Sequence, residues 1–398
     1  MQTLKLKEDL YWCGVQDPEL RTFDIIIMET KFGTTYNAYV VKGSEGSCVI
    51  ETAKERFAEE YLAKVADITP LSEVKYLIVN HTEPDHAGSA AALLQACPNI
   101  TVVGTATAIT FLKNIVNADF PSLAVKPGMT LSLGDKTLRF FPLPNLHWPD
   151  TMYTYVEEMG ALFTCDSFGS HYSHEGVLRS NVPNEQDYWA ATRYYFDCIL
   201  GPFRRPFMQN GIKTARQLQP AIICPGHGPV LDTGIDEVLS AYDAWCLEDL
   251  PFPNKTVVIA YVSAYGYTAQ LAEKMAEGVR DAGADALLFN LEKAGQAQVA
   301  ASIGRAQGLL LGSPTILQEA LKPVWDLTSC LYPAVHKGKL ASAFGSYAWS
   351  GEAVPHLLEK LRQLRMRVPD DGFKVRLCPT QEDLAAARAY GEAFAKQL

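Results

Sequence analysis

Residues 76–86 read YLIVNHTEPDH. The first half is the apolar, β-branched run of a buried strand. The second half sets four metal-binding side chains, His81, Glu83, Asp85 and His86, at i, i+2, i+4 and i+5 directly past the strand end. From a loop, that spacing lets all four turn toward one point. Working outward, 61 residues separate Asp85 from His147 in NLHWPD, 18 separate His147 from Asp166 in FTCDSFG, and 60 separate Asp166 from His227 in ICPGHGP. Each of these also follows an apolar, strand-like stretch, so all sit plausibly on rim loops of one sheet structure. Taken singly, a buried histidine is ordinarily a hydrogen-bonded core residue, and an Asp before Ser-Phe-Gly a turn. Seven such groups together are costly to bury unless they pair or share a metal.

Residues 1–250 around this set fall into two strand-rich halves. LYWCGV, FDIIIMET, NAYVVKG and SCVIETA read as antiparallel strands, and from YLIVN onward strands and helices alternate. TLSLGDKTLRFFPLP and MYTYVEEMGALFTCDSF follow, with turns at Gly134-Asp135 and Gly160. Two such halves with helices outside imply an αββα sandwich. The run LPFPNK (250–255), with Pro251 and Pro253, breaks all periodicity and closes this domain at about residue 250.

Residues 251–398 alternate regularly. Apolar blocks at 256–262, 286–291, 308–313, 340–346 and 373–377 are separated by helical patterns at 268–282, 296–306, 317–331, 352–365 and 381–397. This is the rhythm of a five-stranded, doubly wound parallel sheet. After its first strand comes Ser263-Ala264-Tyr265-Gly266-Tyr267-Thr268. No Gly-Lys-Ser/Thr follows, and no GxGxxG fingerprint is present. Small and hydroxyl residues entering a helix suit a terminal phosphate, met by backbone N–H groups and the helix dipole. Alone, the same loop also reads as a plain turn with a helix cap. Two more loops stand at the carboxyl ends of later strands, where doubly wound sheets bind ligands. They are Ser313-Pro314-Thr315-Ile316 and Ser346-Tyr347-Ala348-Trp349-Ser350-Gly351. The three loops together point to FMN, with Trp349 against an isoalloxazine face.

Composition sets the outer bounds. The 398 residues carry 35 Lys and Arg against 45 Asp and Glu, a net charge of −10, which argues against the basic surface that nucleic acid requires. No apolar run approaches the ~20 residues of a membrane span, and MQTLKLKEDLYW lacks a signal-peptide core. Nine scattered cysteines form no C-x-x-C pair. They read as reduced core thiols rather than a zinc ribbon or rubredoxin-type iron site, and a cytoplasmic location is expected.

HxExDH with the later His147, Asp166 and His227 resembles the metallo-β-lactamase-type fold. Glu83 stands where zinc hydrolases of that superfamily usually carry His, and a harder, oxygen-richer ligand set favours iron. In this respect and in its spacing the chain is similar to the flavodiiron proteins. FGSYAWSGEA (344–353) resembles the flavodiiron version of flavodoxin, with Ala348 where relatives usually have Gly, and Ile316-Leu317 replaces frequent polar residues. The resemblance covers both domains in order. It implies one iron on His81, Glu83 and His147, a second on Asp85, His86 and His227, and Asp166 as bridge. His171, in FGSHYS, and Tyr194 or Tyr195 are the expected ligand-orienting and proton-delivering groups. Asp24 stands where some relatives have a pocket histidine. The implied activity passes electrons from FMN to the iron pair and reduces O2 to water, NO to N2O, or both. The donor is then a separate rubredoxin-like protein or a reduced deazaflavin. A stiff connector and the closed two-fold pairing common to oligomers accord with the family's head-to-tail homodimer, or a dimer of such dimers. A zinc hydrolase joined to a flavodoxin is one rival, opposed by Glu83. A non-catalytic flavin electron carrier is the other, and it leaves the seven ligand-type residues unexplained.

Overall fold

A computed structural model describes residues 2–23, 28–126 and 128–398. The chain divides into two compact units, Met1–Cys246 and Leu247–Leu398. Of the strand expected at 23–30, residues 24–27, Asp24 among them, lie outside the described residues. Its flanks pair through an antiparallel bridge between Thr22 and Glu29, with Phe23 N donating to the Met28 carbonyl at 2.8 Å and Thr30 N to the Arg21 carbonyl at 3.0 Å.

The first unit contains two facing sheets. One has seven strands in the order Leu4–Lys7, Leu10–Trp12, Tyr39–Gly43, Gly46–Ile50, Val74–Val79, Thr101–Gly104 and Ser122–Ala124. The other runs Thr130–Ser132, Thr137–Pro142, Met152–Val156, Ala161–Cys165 and Ile222–Pro225. Strand periodicity of two explains the layering. Cys48, Ile50 and Ile78 face the second sheet and pack with Phe140, Met152 and Phe163. Their neighbours Val49, Leu77 and Val79 face outward, in the core that takes Tyr61 and Val65 of the helix Ala58–Ile68. On the far side Leu162 and Ile223 meet Ile212 and Leu239, from the helices Gln209–Leu218 and Ile235–Leu247. This is the αββα sandwich.

The second unit is a five-stranded parallel sheet. In space its order is Asp285–Asn290, Thr256–Tyr261, Gly308–Gly312, Leu340–Tyr347, Phe373–Arg376, that is, second, first, third, fourth, fifth in the chain. This is the flavodoxin-like order, with its switch point between the first and third strands. Alternate residues of the first strand serve opposite faces: Val257 and Ile259 pack with Leu271 and Met275, and Val258 and Ala260 with Leu309 and Leu357. The helices Tyr267–Asp281 and Gln381–Ala395 approach closely through two glycines. A Cβ on Gly278 would lie 1.8 Å from the Arg388 carbonyl oxygen, and one on Gly391 2.2 Å from that of Met275.

Two sequence expectations need correction. The helix expected over 317–331 begins only at Lys322. Leu317 and Gln318 have φ of 53° and 63°, which no right-handed helix accommodates, and Pro323 suits a first helical turn. The division between units falls after Cys246 rather than after 250. Leu250 belongs with the second unit because its carbonyl accepts from Arg305 Nε at 3.0 Å. Among the described residues no helix is long and apolar enough to cross a membrane. All nine cysteines are free thiols.

Candidate functional site

The seven ligand-type residues meet at one rim of the sandwich. His81 and Glu83 follow the strand Val74–Val79, and Asp85 and His86 lie on the short helix Pro84–Ala87. His147 comes from the loop between Thr137–Pro142 and Met152–Val156. Asp166 and His227 extend from two neighbouring parallel strands whose last paired residues are Cys165 and Pro225.

The side chains form three overlapping groups: His81, Glu83, His147 and Asp166; Asp85, His86 and His227; and His86 and Asp166 with the buried Cys165, which the sequence reading passed over. Asp166 Oδ2 lies 2.8 Å from His147 Nε2 and 3.5 Å from His81 Nε2. Glu83 Oε2 lies 3.3 Å from each of those nitrogens. The other oxygen, Asp166 Oδ1, lies 3.0 Å from His86 Nε2 and 3.6 Å from His227 Nε2. Asp85 Oδ2 completes this side, 3.0 Å from His227 Nε2 and 3.5 Å from His86 Nε2. With Asp166 included, each side thus offers two imidazoles and two carboxylates, a donor set suited to iron with positions left open. The two sides differ in access. The Glu83 and His147 side chains retain 20% and 9% exposure, whereas those of Asp85, His86 and His227 retain 3% or less.

Electrostatics tie the cluster together. Burial opposes charge throughout, but opposite charges outweigh it. Asp85 and Asp166 lift His86 to about 9. Asp150 and Glu83 hold His81 well above its ordinary value. His147 and His81 draw Glu83 down to about 2, and His86 and His147 keep Asp166 well below the carboxylate range. In the metal-free chain, protons on the histidines offset the carboxylate charges, and a bound metal would take over that task.

Around the cluster, Tyr195 Oη donates to Asp166 Oδ1 at 3.0 Å. His171 is buried, its Nδ1 2.8 Å from Thr34 Oγ1, and its ring stands 5.0 Å from that of His227 and 4.9 Å from that of Tyr195. Tyr194 is 40% exposed, its hydroxyl accepts from Glu29 N, and together with His171 it lines a surface cavity of about 340 Å³. The outer carboxylate Asp150 is a residue that the sequence reasoning passed over. Its oxygens lie 3.3 and 3.4 Å from His81 Nδ1, and it accepts from Thr82 N at 2.8 Å. It stands in NLHWPD, three positions past His147, so a carboxylate beside a ligand was the available signal. The Thr35 carbonyl, 2.6 Å from His227 Nδ1, left none, because any residue offers a carbonyl.

The three loops of the second unit gather at the carboxyl edge of its sheet. Gly266, with φ of 84°, turns the chain into the helix Tyr267–Asp281. The first-turn N–H groups of Tyr267 and Thr268 have no acceptor among the described residues. Ser263 Oγ accepts from Ala269 N, and Thr268 Oγ1 lies 3.0 Å from Ser346 Oγ. These hydroxyls therefore frame the loop rather than project from it. Thr315 N donates to the Ser346 carbonyl at 2.9 Å and joins the second and third loops. Tyr265 and Trp349, one each from the first and third loops, present their rings to solvent at 80% and 78% exposure. Free amides at a helix start and aromatic rings at the sheet edge fit a phosphate-bearing, flat cofactor.

A di-metal sandwich followed by a flavodoxin-like sheet defines a flavin- and metal-dependent oxidoreductase. The family comparisons agree: residues 34–228 match the ODP family beta-lactamase profile and 259–391 match flavodoxin. A type A flavoprotein of Rhodobacter capsulatus is 38% identical over 98% of this chain and 90% of its own. A flavo-diiron protein of Clostridium acetobutylicum is 36% identical over 100% of both, and a nitric oxide reductase of Moorella thermoacetica is 32% identical over 100% of this chain and 99% of its own. Among solved structures, rubredoxin oxygen:oxidoreductase of Desulfovibrio gigas is 28% identical with a TM-score of 0.69, covering 100% of this chain and 98% of that one. The chain belongs to the flavodiiron, or type A flavoprotein, family of oxidoreductases.

Proposed function

We propose that the chain reduces O2 to water, NO to N2O, or both, at an iron pair fed by FMN. The observation that carries this is the division of Asp166, one oxygen toward each two-histidine group. His81, Glu83 and His147 would hold one iron and Asp85, His86 and His227 the other, with Asp166 placed to serve both. An iron pair held by these residues would supply electrons and open coordination positions for a diatomic substrate. Asp150 and the Thr35 carbonyl fix the rings of His81 and His227, and Tyr195 keeps its proton on Oη and points it at Asp166 Oδ1. His171, hydrogen-bonded to Thr34, is the second proton-handling group near the buried side. Both reductions consume protons with electrons, so these hydroxyl and imidazole groups are mechanistic parts rather than packing.

In the second domain, the amides after Ser263 through Thr268 hold the FMN phosphate. The loops Ser313–Ile316 and Ser346–Gly351 line its ring, with Trp349 on one face. The donor is a separate rubredoxin-like protein or a reduced deazaflavin. The names of two relatives, a rubredoxin:oxygen oxidoreductase and a nitric oxide reductase, support both substrates. The working unit is a head-to-tail homodimer, or a dimer of dimers, supported by the connector with Pro251 and Pro253. The deciding experiment is anaerobic reduction followed by parallel measurement of O2 and NO consumption. Iron near two per chain with turnover of either gas is expected; zinc with esterase activity and neither gas consumed overturns the reading.

A further inference from the structure

Metal-bound imidazole ordinarily donates its second N–H to a carboxylate, carbonyl or water. His81 has Asp150 behind it and His227 has the Thr35 carbonyl. His86 differs: its Nδ1 is buried and makes no hydrogen bond among the described residues. A buried acceptor without a partner stands on the adjoining segment. Glu51, 2% exposed, ends the strand Gly46–Ile50. Its Oε1 accepts from Asn80 N at 2.9 Å, but its Oε2 is buried and unpartnered.

The backbone sets Glu51 beside the His86 segment. The next residue, Thr52, donates twice to the His86 carbonyl, from N at 2.8 Å and from Oγ1 at 2.7 Å. Glu51 is also held at φ of 61°, a conformation side chains other than glycine seldom adopt. Its N–H donates to the Ile78 carbonyl at 3.0 Å and its carbonyl accepts from Tyr61 Oη at 3.3 Å. A buried carboxylate with an unused oxygen, on a strained backbone beside a metal centre, calls for a role. Asn80 Nδ2, also unpartnered, is the competing donor.

We infer that Glu51 is a positioning residue for the buried metal position: its Oε2 takes the His86 Nδ1–H, directly or through one water, when His86 Nε2 is given to a metal. This rests on the reading of His86 as a ligand. The test compares iron-loaded wild type, Glu51→Gln and Glu51→Leu by chelator-release kinetics and by electron paramagnetic resonance of the half-reduced pair. The Leu variant is expected to release one of its two irons roughly 10- to 100-fold faster and to alter the spectrum. The Gln variant, whose single amide oxygen serves either Asn80 N or His86 Nδ1–H but not both, should loosen the same iron by less than the Leu variant does. A crystal structure of the iron-loaded wild type should place Glu51 Oε2 within one hydrogen bond, or one water, of His86 Nδ1, and with the Gln variant it decides the matter even if the Leu variant fails to fold. Wild-type release from the Leu variant overturns the assignment. So does equal loosening of both irons in both variants, which marks a scaffold role through Asn80 N, or an iron-loaded structure in which Oε2 serves Asn80 Nδ2 alone. A wild-type chain that holds no iron pair fails the metal reading itself; two irons with an unaffected Leu variant fails only this inference.

Discussion

Asp166 turns one carboxylate oxygen toward each of the two ligand groups. Asp166→Ala should leave roughly half or less of the wild-type iron, because each group loses a ligand at once; full iron with full turnover would show that it is no bridge. The same charges set a pH dependence. In the metal-free chain His86 is raised to about 9 from 6.5, so its contribution to stability is complete below 6.5 and lost as pH rises through 9. Glu83 is lowered to about 2 from 4.5, so its contribution is present above 4.5 and lost as pH falls through 2. Glu51, pushed by burial to about 8 from 4.5, costs stability as pH rises between those values. The metal-free protein should therefore lose Tm as pH rises from 6.5 toward 9, where the His86 and Glu51 changes act in the same direction. Calorimetry on metal-free protein checks this, and a Tm that stays level from 6.5 to 9 contradicts it. The residues that gather at the rim were legible because imidazoles and carboxylates at strand ends are conspicuous. Glu51 was not, since one acidic residue in SCVIETA looks like any strand-end polar group, and only its buried, unpartnered oxygen sets it apart.

At the scale of elements, strands and helices of the second unit were readable almost to their ends, because a buried parallel strand is a continuous apolar block. The exception, 317–331, is instructive. Leu317 continues an apolar helical pattern in the sequence, yet sits 89% exposed in a left-handed conformation. Periodicity does not encode φ. The first loop teaches a second lesson. Its hydroxyls read as phosphate donors, but Thr268 is buried against Ser346, so a charge placed there would disrupt the loop frame along with any phosphate. Gly266 is the better probe. Its Cβ would meet nothing within 4 Å, and Asp tolerates its left-handed backbone at a cost of about 1–2 kcal/mol. Gly266→Asp should fold, place a carboxylate at the helix start, and emerge colourless. Retention of full flavin, read from visible absorbance, would remove this helix start from the phosphate site.

For the molecule as a whole, the sequence carried the order and class of both domains, but it contains no statement of how copies associate. Mixed dimers supply one. Chains with His81→Ala, lacking metal, and chains with Gly266→Asp, lacking flavin, should each be inactive alone. Heterodimers regain turnover if electrons cross between chains, and regain none if transfer stays within a chain, since no chain then has both centres. The unequal exposure of the two metal groups has a further meaning, one of sequence in time. The centre has an inside and an outside. An ion bound at Asp85, His86 and His227 sits behind the site of its neighbour, while Glu83 and His147 still touch solvent. Such a centre fills from the back and empties from the front, as a berth does when one vessel moors behind another. Stripping with a chelator should release the outer ion first and yield a one-iron protein, and refilling should pass through the same species. Simultaneous release of both ions would mean that the two positions share one door.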